Sequence, residues 1–390
     1  MLTVVAAALA LPGAATAIHL GTLAVASLFY RRSKPDQVDP VRFLVLIPAH
    51  NEEPVIGKGL AAIEADRRAR DHVLVVADRC TDGTARIARE FGADVLERGP
   101  EDEPGRAAAR QAGLERARSL DWDAVLMLDA DSVIEPGFFD ACERMLATGA
   151  AAVQARSESS RGRTLAAEAA VAAFTLQGIT IPRGRDRLGL SVRLRGTGMA
   201  IRRDLALAHR FRAPASEDLF FTLDLMLDGV RCRHVDDARL RSEGAGNWGD
   251  FGGQKLRYEA GRMSAAQAFV PRLLRRALRR RDAACLEAAW FLLTPPFALA
   301  AGSLTIGCAL AASAGAWWVA AVCGAGLAAL VLTLVTGLVQ ARAGARTWLA
   351  LAGAPWYVAW KMVVQARALV SVLRNTGYYG PTARRVTDDG

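Results

Sequence analysis

The chain has 390 residues, a formal net charge of +9 and 52% apolar residues, a length that accommodates one large domain or two ordinary ones. Six cysteines without paired spacing argue against a disulfide framework or a zinc site, and predict reduced thiols. The basic residues cluster beside apolar blocks, which points to anionic headgroups as partners and not to nucleic acid.

Residues 1–30 contain no Asp, Glu, Lys or Arg, and Arg31, Arg32 and Lys34 follow at once. This predicts an N-terminal transmembrane anchor over 1–30, uncleaved because it lacks a basic leading region, with the next domain on the cytoplasmic side. Residues 31–40 read as a polar linker. Val41 to Pro48 then reads as a buried strand, followed by the polar loop Ala49-His50-Asn51-Glu52-Glu53. Val55, Ile56, Leu60 and Ile63 recur at helical spacing, and Asn51 is placed to cap a helix starting near Pro54. A second strand, His72 to Ala77, ends at Asp78, and Ala93 to Leu96 reads as a short third one.

After a helix over Ala107 to Ser119, the apolar run Asp123 to Leu128 stops at Asp129-Ala130-Asp131. In an extended segment residues i and i+2 project to one side, so both carboxylates could face one divalent cation; taken alone, the pair also fits a solvated loop. Strands alternating with helices predict an α/β domain with a mainly parallel sheet whose ligands sit at the carboxyl ends of its strands. Asp78, Asp129 and Asp131 all fall at such ends. The polar stretches 156–163 and 182–195 read as loops near the same cleft. Ser216-Glu217-Asp218 also fits a helix start with Ser216 capping and two acids on the dipole.

From Met263 onwards, Phe269, Leu273, Leu274 and Leu278 recur among Arg272, Arg275, Arg276 and Arg279, which predicts an amphipathic helix on the inner leaflet over 263–284. Residues 285–340 suffice for two transmembrane helices, with Pro295-Pro296 interrupting the first and Gly315 to Trp318 forming an interfacial turn. Lys361, Gln365 and Arg367 make 347–373 an interfacial or re-entrant helix in preference to a third span, and 374–390 a cytosolic tail. His50, His72, His209 and His234 show no ligand spacing.

Five segments together resemble the family 2 glycosyltransferases of the GT-A fold. They are Ile47 to Glu53, Ala77 to Thr84, Gly105-Arg106 to Leu114 with Asp129-Ala130-Asp131, Gly196 to Arg203, and Ser216 to Leu219. Gln254-Lys255-Leu256-Arg257-Tyr258 is similar to a motif of the membrane-embedded polysaccharide synthases related to cellulose, hyaluronan and chitin synthases, as are Pro355-Trp356-Tyr357 and Trp360-Lys361. The resemblance implies a GT-A domain over 41–262, flanked by N- and C-terminal transmembrane helices.

It also implies roles for individual residues. Ala49, Asn51 and Glu53 would wall the donor site, Asp78 would meet the uracil or ribose, and Arg106, where the family often has Lys, would meet the diphosphate. Asp131 would hold Mg2+ or Mn2+, with Asp129 sharing the metal or binding the ribose. Asp218 would be the general base and Glu217 a structural neighbour on the acceptor side, while Gln254, Arg257 and Tyr258 would close the site around acceptor and diphosphate. Tyr258 replaces the usual Trp, which weakens the expected stacking and, with it, processive synthesis.

The implied reaction is inverting transfer from a nucleotide sugar, with a UDP-sugar the expected donor, to a polysaccharide or lipid-linked acceptor. Non-processive formation of a glycolipid is the alternative. A catalytically silent nucleotide-binding membrane subunit is a third reading, against which the presence of Asp78, Asp129, Asp131 and Asp218 counts. The expected location is the inner (plasma) membrane, multi-pass, with the catalytic domain cytoplasmic. Membrane lipids are expected contacts, and partner proteins of an export system are left unspecified.

Overall fold

The protein is described by a computed structural model over residues 1–32, 35, 37–159, 165–212, 216–242 and 248–373. The N-terminal apolar run forms one helix, α1 (Leu2–Leu28). Strands and helices then alternate: β1 (Phe43–Ala49), α2 (Glu53–Asp66), β2 (His72–Asp78), α3 (Thr84–Glu90), β3 (Asp94–Arg98), α4 (Arg106–Arg116) and β4 (Ala124–Met127). β1 pairs in parallel with β2 and β4, and β2 with β3. Because helices cover both faces, apolar side chains fill consecutive strand positions. Val45 and Ile47 share one core with Ile56, Leu60 and Ile63 of α2, while Leu44 and Leu46 share the other with Ala109 and Leu114 of α4.

The second half of the sheet departs from the mainly parallel expectation. It contains β5 (Ser132–Ile134), α5 (Phe138–Ala147), β6 (Ala152–Ser159), α6 (Leu165–Thr175), a π-helical turn at Leu176–Thr180, α7 (Ile181–Arg187), β7 (Met199–Arg202), α8 (Arg203–Ala208), α9 (Glu217–Leu227) and β8 (Cys232–Ser242). The eight-stranded order is β3-β2-β1-β4-β7-β6-β8-β5. β7 runs antiparallel to β4 and β6, β5 antiparallel to β8, and β6 parallel to β8. Gly196 (φ 82°) and Gly198 (φ 65°) turn the chain back beside β4, a left-handed conformation that glycine adopts without a Cβ penalty. The two stretches expected as loops are partly regular: 156–159 completes β6, and 182–187 lies in α7.

The rest is helical: α10 (Trp248–Arg280), α11 (Ala283–Leu293), α12 (Phe297–Ser313), α13 (Trp317–Gln340), α14 (Ala345–Ala350) and α15 (Ala354–Leu373). Among the described residues, α1 and α13 are each long and apolar enough to cross a membrane, and α11 with α12 forms such a span only as a pair bent by 63°. The bend falls at Thr294-Pro295-Pro296, where proline removes backbone donors. α1 lies against α12 and α13, so the two ends of the chain form one apolar bundle.

The expected amphipathic helix over 263–284 is corrected in two ways. It is the second half of α10, continuous with the segment carrying Tyr258, and it ends at Arg280. Its apolar stripe is also already covered, since Phe269 and Leu273 are buried with Leu219 and Leu223 of α9 and Ala288 and Leu292 of α11. Protein therefore satisfies the face expected to enter the leaflet, and Leu278 remains as an exposed large apolar residue on it. Lys361, which interrupts α15, is buried and paired with Glu259 of α10 at 3.1 Å.

Candidate active site

The acidic pair lies on a turn, not in the extended strand that the i, i+2 argument assumed. β4 ends at Met127, and the Ser132 N–H donates to the Asp129 carbonyl at 3.0 Å, closing residues 129–132. The turn is tied to the glycine-rich segment: the Asp129 N–H donates to Thr197 Oγ1 at 3.1 Å, and Thr197 Oγ1 and Ser132 Oγ are 2.8 Å apart. α2 presses on its back, where a Cβ on Gly59 would stand 2.9 Å from the Ser132 carbonyl oxygen and 3.1 Å from that of Ala130.

Two arginines of α4, one helical turn apart, meet this turn. Arg106 lies 3.3 Å from Asp129 Oδ2, and Arg110, fully buried, 3.5 Å from Asp129 Oδ1. Arg110 also donates to Glu217 Oε1 at 2.9 Å and to the Gly196 carbonyl at 2.6 Å. Asp129 raises the pKa of Arg106 most; burial opposes this, and Glu217, Asp131 and Asp218 add to it. One cation thus feels the acids of both the β4 turn and α9. Burial pushes the Arg110 guanidinium pKa down, against the field of Glu217.

Asp218 stands at the start of α9, with Oδ1 accepting the Leu219 N–H at 2.8 Å. Burial drives its carboxyl above the usual range; Arg193 opposes this most strongly and Glu217 reinforces it. Ser216 precedes it in a left-handed conformation (φ 60°) and gives no side-chain cap, contrary to the capping reading. Tyr258 accepts a short hydrogen bond from Arg193, whose guanidinium carbon lies 5.0 Å from the centre of its ring. Gln254 and Arg257 lie on α10, but their side chains fall outside the described residues.

The residues expected on the nucleotide side are knitted together by hydrogen bonds between two loops. Asn51 (φ 53°) does not cap α2, where Glu52 is the cap residue; its Oδ1 accepts the Thr81 N–H at 2.8 Å. Glu53 accepts the Gly83 N–H at 2.7 Å, and Asp82 accepts the Glu53 N–H at 3.1 Å, so each loop bonds the start of the other's helix. Buried Ala49 accepts a weak contact from the Cys80 thiol through its carbonyl. Asp78 is buried and ion-paired with Arg98 at 2.7 Å, while its carbonyl meets His50 Nδ1 at 2.6 Å.

Arg98, Arg110, Arg193 and Arg195 were missed as site residues. Arg110 had a signal in its i, i+4 spacing from Arg106, and Arg193 and Arg195 in their alternation just before Gly196.

Among the described residues, no group of three or more His, Cys, Asp or Glu could hold a metal alone. Asp129 and Asp131 nonetheless fit Mg2+ or Mn2+, which commonly take one or two carboxylates and complete their shell with substrate phosphates. Asp129 Oδ1 is buried without a hydrogen-bond partner, as a ligand oxygen awaiting a cation would be.

A parallel half-sheet, an acidic turn at its switch to antiparallel and a buried carboxylate at the start of α9 make a mixed α/β sheet consistent with a GT-A glycosyltransferase fold. A family model described as glycosyltransferase-like family 2 matches residues 40–259; the chain belongs to this family and is a glycosyltransferase. No curated protein sequence matches it significantly. Among solved structures it is similar to the mannosyltransferase PcManGT from Pyrobaculum calidifontis in complex with GDP-mannose and Mn2+. The TM-score is 0.52 at 21% identity, over 97% of this chain and 100% of that one. The S. aureus TarS structure of residues 1–349 with UDP-GlcNAc gives 0.47 at 15% identity, over 77% and 92%. Glucosyl-3-phosphoglycerate synthase from Mycobacterium tuberculosis with Mn2+, UDP and phosphoglyceric acid gives 0.39 at 21%, over 60% and 78%.

Proposed function

We propose that the protein is a membrane-bound inverting transferase that moves a sugar from a nucleotide sugar, with a UDP-sugar the expected donor, to a polysaccharide or lipid-linked acceptor. The carrying observation is that buried Arg110 meets Asp129 at 3.5 Å and Glu217, next to Asp218, at 2.9 Å, which supports one cleft with a donor side and an acceptor side. Asp131 and Asp129 would hold Mg2+ or Mn2+, which neutralises charge on the departing diphosphate. Arg106 and Arg110 add fixed positive charge on the same side. The loops around Asn51, Glu53 and Asp78 shape the nucleotide pocket. Asp218 takes the acceptor hydroxyl's proton as its oxygen attacks the anomeric carbon; a carboxyl raised by burial is the stronger base for that step. A single displacement inverts the anomeric centre.

The apolar bundle of α1, α12 and α13 supports placement in the plasma membrane, and the basic residues beside it favour a cytoplasmic catalytic domain. Within the membrane-embedded polysaccharide-synthase-like subgroup, transfer of a single sugar is favoured over processive synthesis. Tyr258 is engaged by Arg193 through its hydroxyl and its ring, so it is not a free stacking platform.

The test is a screen of nucleotide sugars for metal-dependent release of nucleoside diphosphate, with and without lipid extract. Asp131→Ala and Asp218→Asn should each lower transfer by about two to four orders of magnitude. Unchanged transfer in either variant refutes that residue's role, and product length separates a polymer ladder from a single-sugar lipid.

A further inference from the structure

Among the described residues, the cleft holds two cations that no carboxylate pairs. Elsewhere arginines meet acids closely: Arg110 with Glu217 at 2.9 Å, Arg98 with Asp78 at 2.7 Å, Arg183 with Asp236 at 2.7 Å and Arg185 with Glu287 at 2.8 Å. Among the described residues, Arg193 and Arg195 instead bond to neutral hydroxyls, those of Tyr258 and of Ser157 (3.1 Å). The Nε of Arg193 is buried with no hydrogen-bond partner. We propose that Arg193 and Arg195 form an anion subsite beside Asp218, and that the acceptor carries a phosphoryl group next to the hydroxyl it presents. This rests on the transferase reading above.

Three features carry it. First, the charges do not balance: of the two carboxylates acting on Arg193, Glu259 is already paired with Lys361 at 3.1 Å, and burial drives Asp218 towards its neutral form. Burial and the adjacent Arg193 push the pKa of Arg195 down to about 10, the cost of keeping two like charges together without an anion between them. A phosphate monoester, at about −1.5 to −2 near pH 7, matches that excess where a carboxylate would leave one cation over.

Second, aromatic rings flank both guanidiniums. Arg195 lies 4.4 Å from the Phe174 ring centre, and Arg193 5.0 Å and 5.9 Å from those of Tyr258 and Phe291. Among the described residues one N–H group of each is bonded to a hydroxyl, which leaves the others for an oxyanion between the rings, as arginine binds phosphate.

Third, Phe291 belongs to α11, the first limb of the bent apolar pair, so the subsite lies between the catalytic sheet and the apolar bundle. A lipid phosphate and a soluble phosphorylated sugar share the chemistry required. In the transfer, the hydroxyl oxygen bonds to the anomeric carbon and the bond to the diphosphate breaks with its electron pair. The hydroxyl proton passes to Asp218, and the phosphoryl group stays intact as the handle.

The test uses the full chain in phosphatidylcholine nanodiscs, with the donor side filled by UDP and Mn2+. Binding is measured for dihexanoyl phosphatidic acid against dihexanoyl glycerol, and for glycerol 3-phosphate against glycerol. We expect each phosphorylated probe that binds to do so at least about tenfold more tightly than its neutral counterpart. Arg193→Gln and Arg195→Gln should each weaken it by about tenfold, and Arg193→Lys by less, with UDP binding unchanged. Tighter binding of the phosphatidic acid identifies a lipid source; equal binding of glycerol 3-phosphate identifies a soluble one. Equal affinity for phosphorylated and neutral probes overturns the proposal, as does unchanged phosphate binding in a double Gln variant that melts like the parent. Should that variant not fold, the wild-type comparison decides alone. Asp218→Asn should abolish transfer yet keep the phosphate preference, whereas a parent protein that transfers sugar without any phosphate preference sinks the subsite and leaves the transferase reading standing.

Discussion

The guanidinium of Arg110 has no exposed surface and stands between Asp129 and Glu217. Removing it leaves two poorly hydrated carboxylates facing each other, so Arg110→Met should cost about 3–5 kcal/mol, read as a lower denaturant midpoint. The proposed role of Asp218 carries a pH response at the same scale. With Asp218 as the base, the active form is the carboxylate, and its raised pKa places the acid limb of the rate profile above the ordinary value of about 4. Activity should rise with pH through that limb. Arg193 is the strongest influence holding the carboxylate down, so Arg193→Gln should move the limb to higher pH. A limb left in place would show that Asp218 is not the group titrating. The acids were legible because motif and strand end coincide. Their cations were not: Arg110 and Glu217 are 107 positions apart, and no local pattern announces such a pairing.

At the scale of elements, α7 is a strut between the catalytic sheet and the apolar helices. Arg183 binds Asp236 of β8 through two 2.7 Å contacts, while Arg185 binds Glu287 of α11, which also meets His19 of α1 at 2.8 Å. Burial opposes ionisation of Asp236, yet bonds from His234 and Arg183 hold it charged, well below the usual carboxylate range. Between these residues Gly184 lets the helix touch α1, since a Cβ there would stand 2.2 Å from the Leu23 carbonyl oxygen. Gly184→Ala should therefore destabilise by about 1–3 kcal/mol, seen as a lower melting temperature in detergent. From sequence this region reads as loop, because it is polar and contains glycine and so offers no apolar periodic face. α10 was misread for the opposite reason: its stripe was visible, but sequence cannot tell a face covered by α9 and α11 from one offered to lipid.

At the scale of the whole molecule, residues far apart in sequence form one apolar unit. Ala10 and Ala17 of α1 share a core with Leu304 of α12 and Cys323 and Leu330 of α13, and Gln340 binds Ser27 at 2.8 Å. Deleting residues 1–32 removes that packing and strips His19 from Glu287. The truncated protein should aggregate or run as a broad peak in size-exclusion chromatography, whereas a merely tethering helix could be removed without that effect. The parallel half-sheet and the apolar blocks were legible, because buried strands and long uncharged runs are local signals. The antiparallel half depends on the glycine turn after Arg195 and on pairings across the fold.

The break at Thr294-Pro295-Pro296 leaves carbonyls at the end of α11 without helical partners. Arg262 of α10 binds them, donating to Phe291, Leu292 and Thr294 at 3.2, 3.2 and 3.0 Å. One helical turn earlier on α10 stands Tyr258, in contact with Arg193 beside Asp218. The knee of the bent helix pair is thereby clamped to the helix that carries Tyr258. If the bundle sits in a bilayer as proposed, a change in acyl-chain length that straightens or folds that knee is relayed to the acceptor side. Turnover should then peak at one membrane thickness, and Arg262→Ala should flatten that optimum while leaving nucleotide affinity as it was.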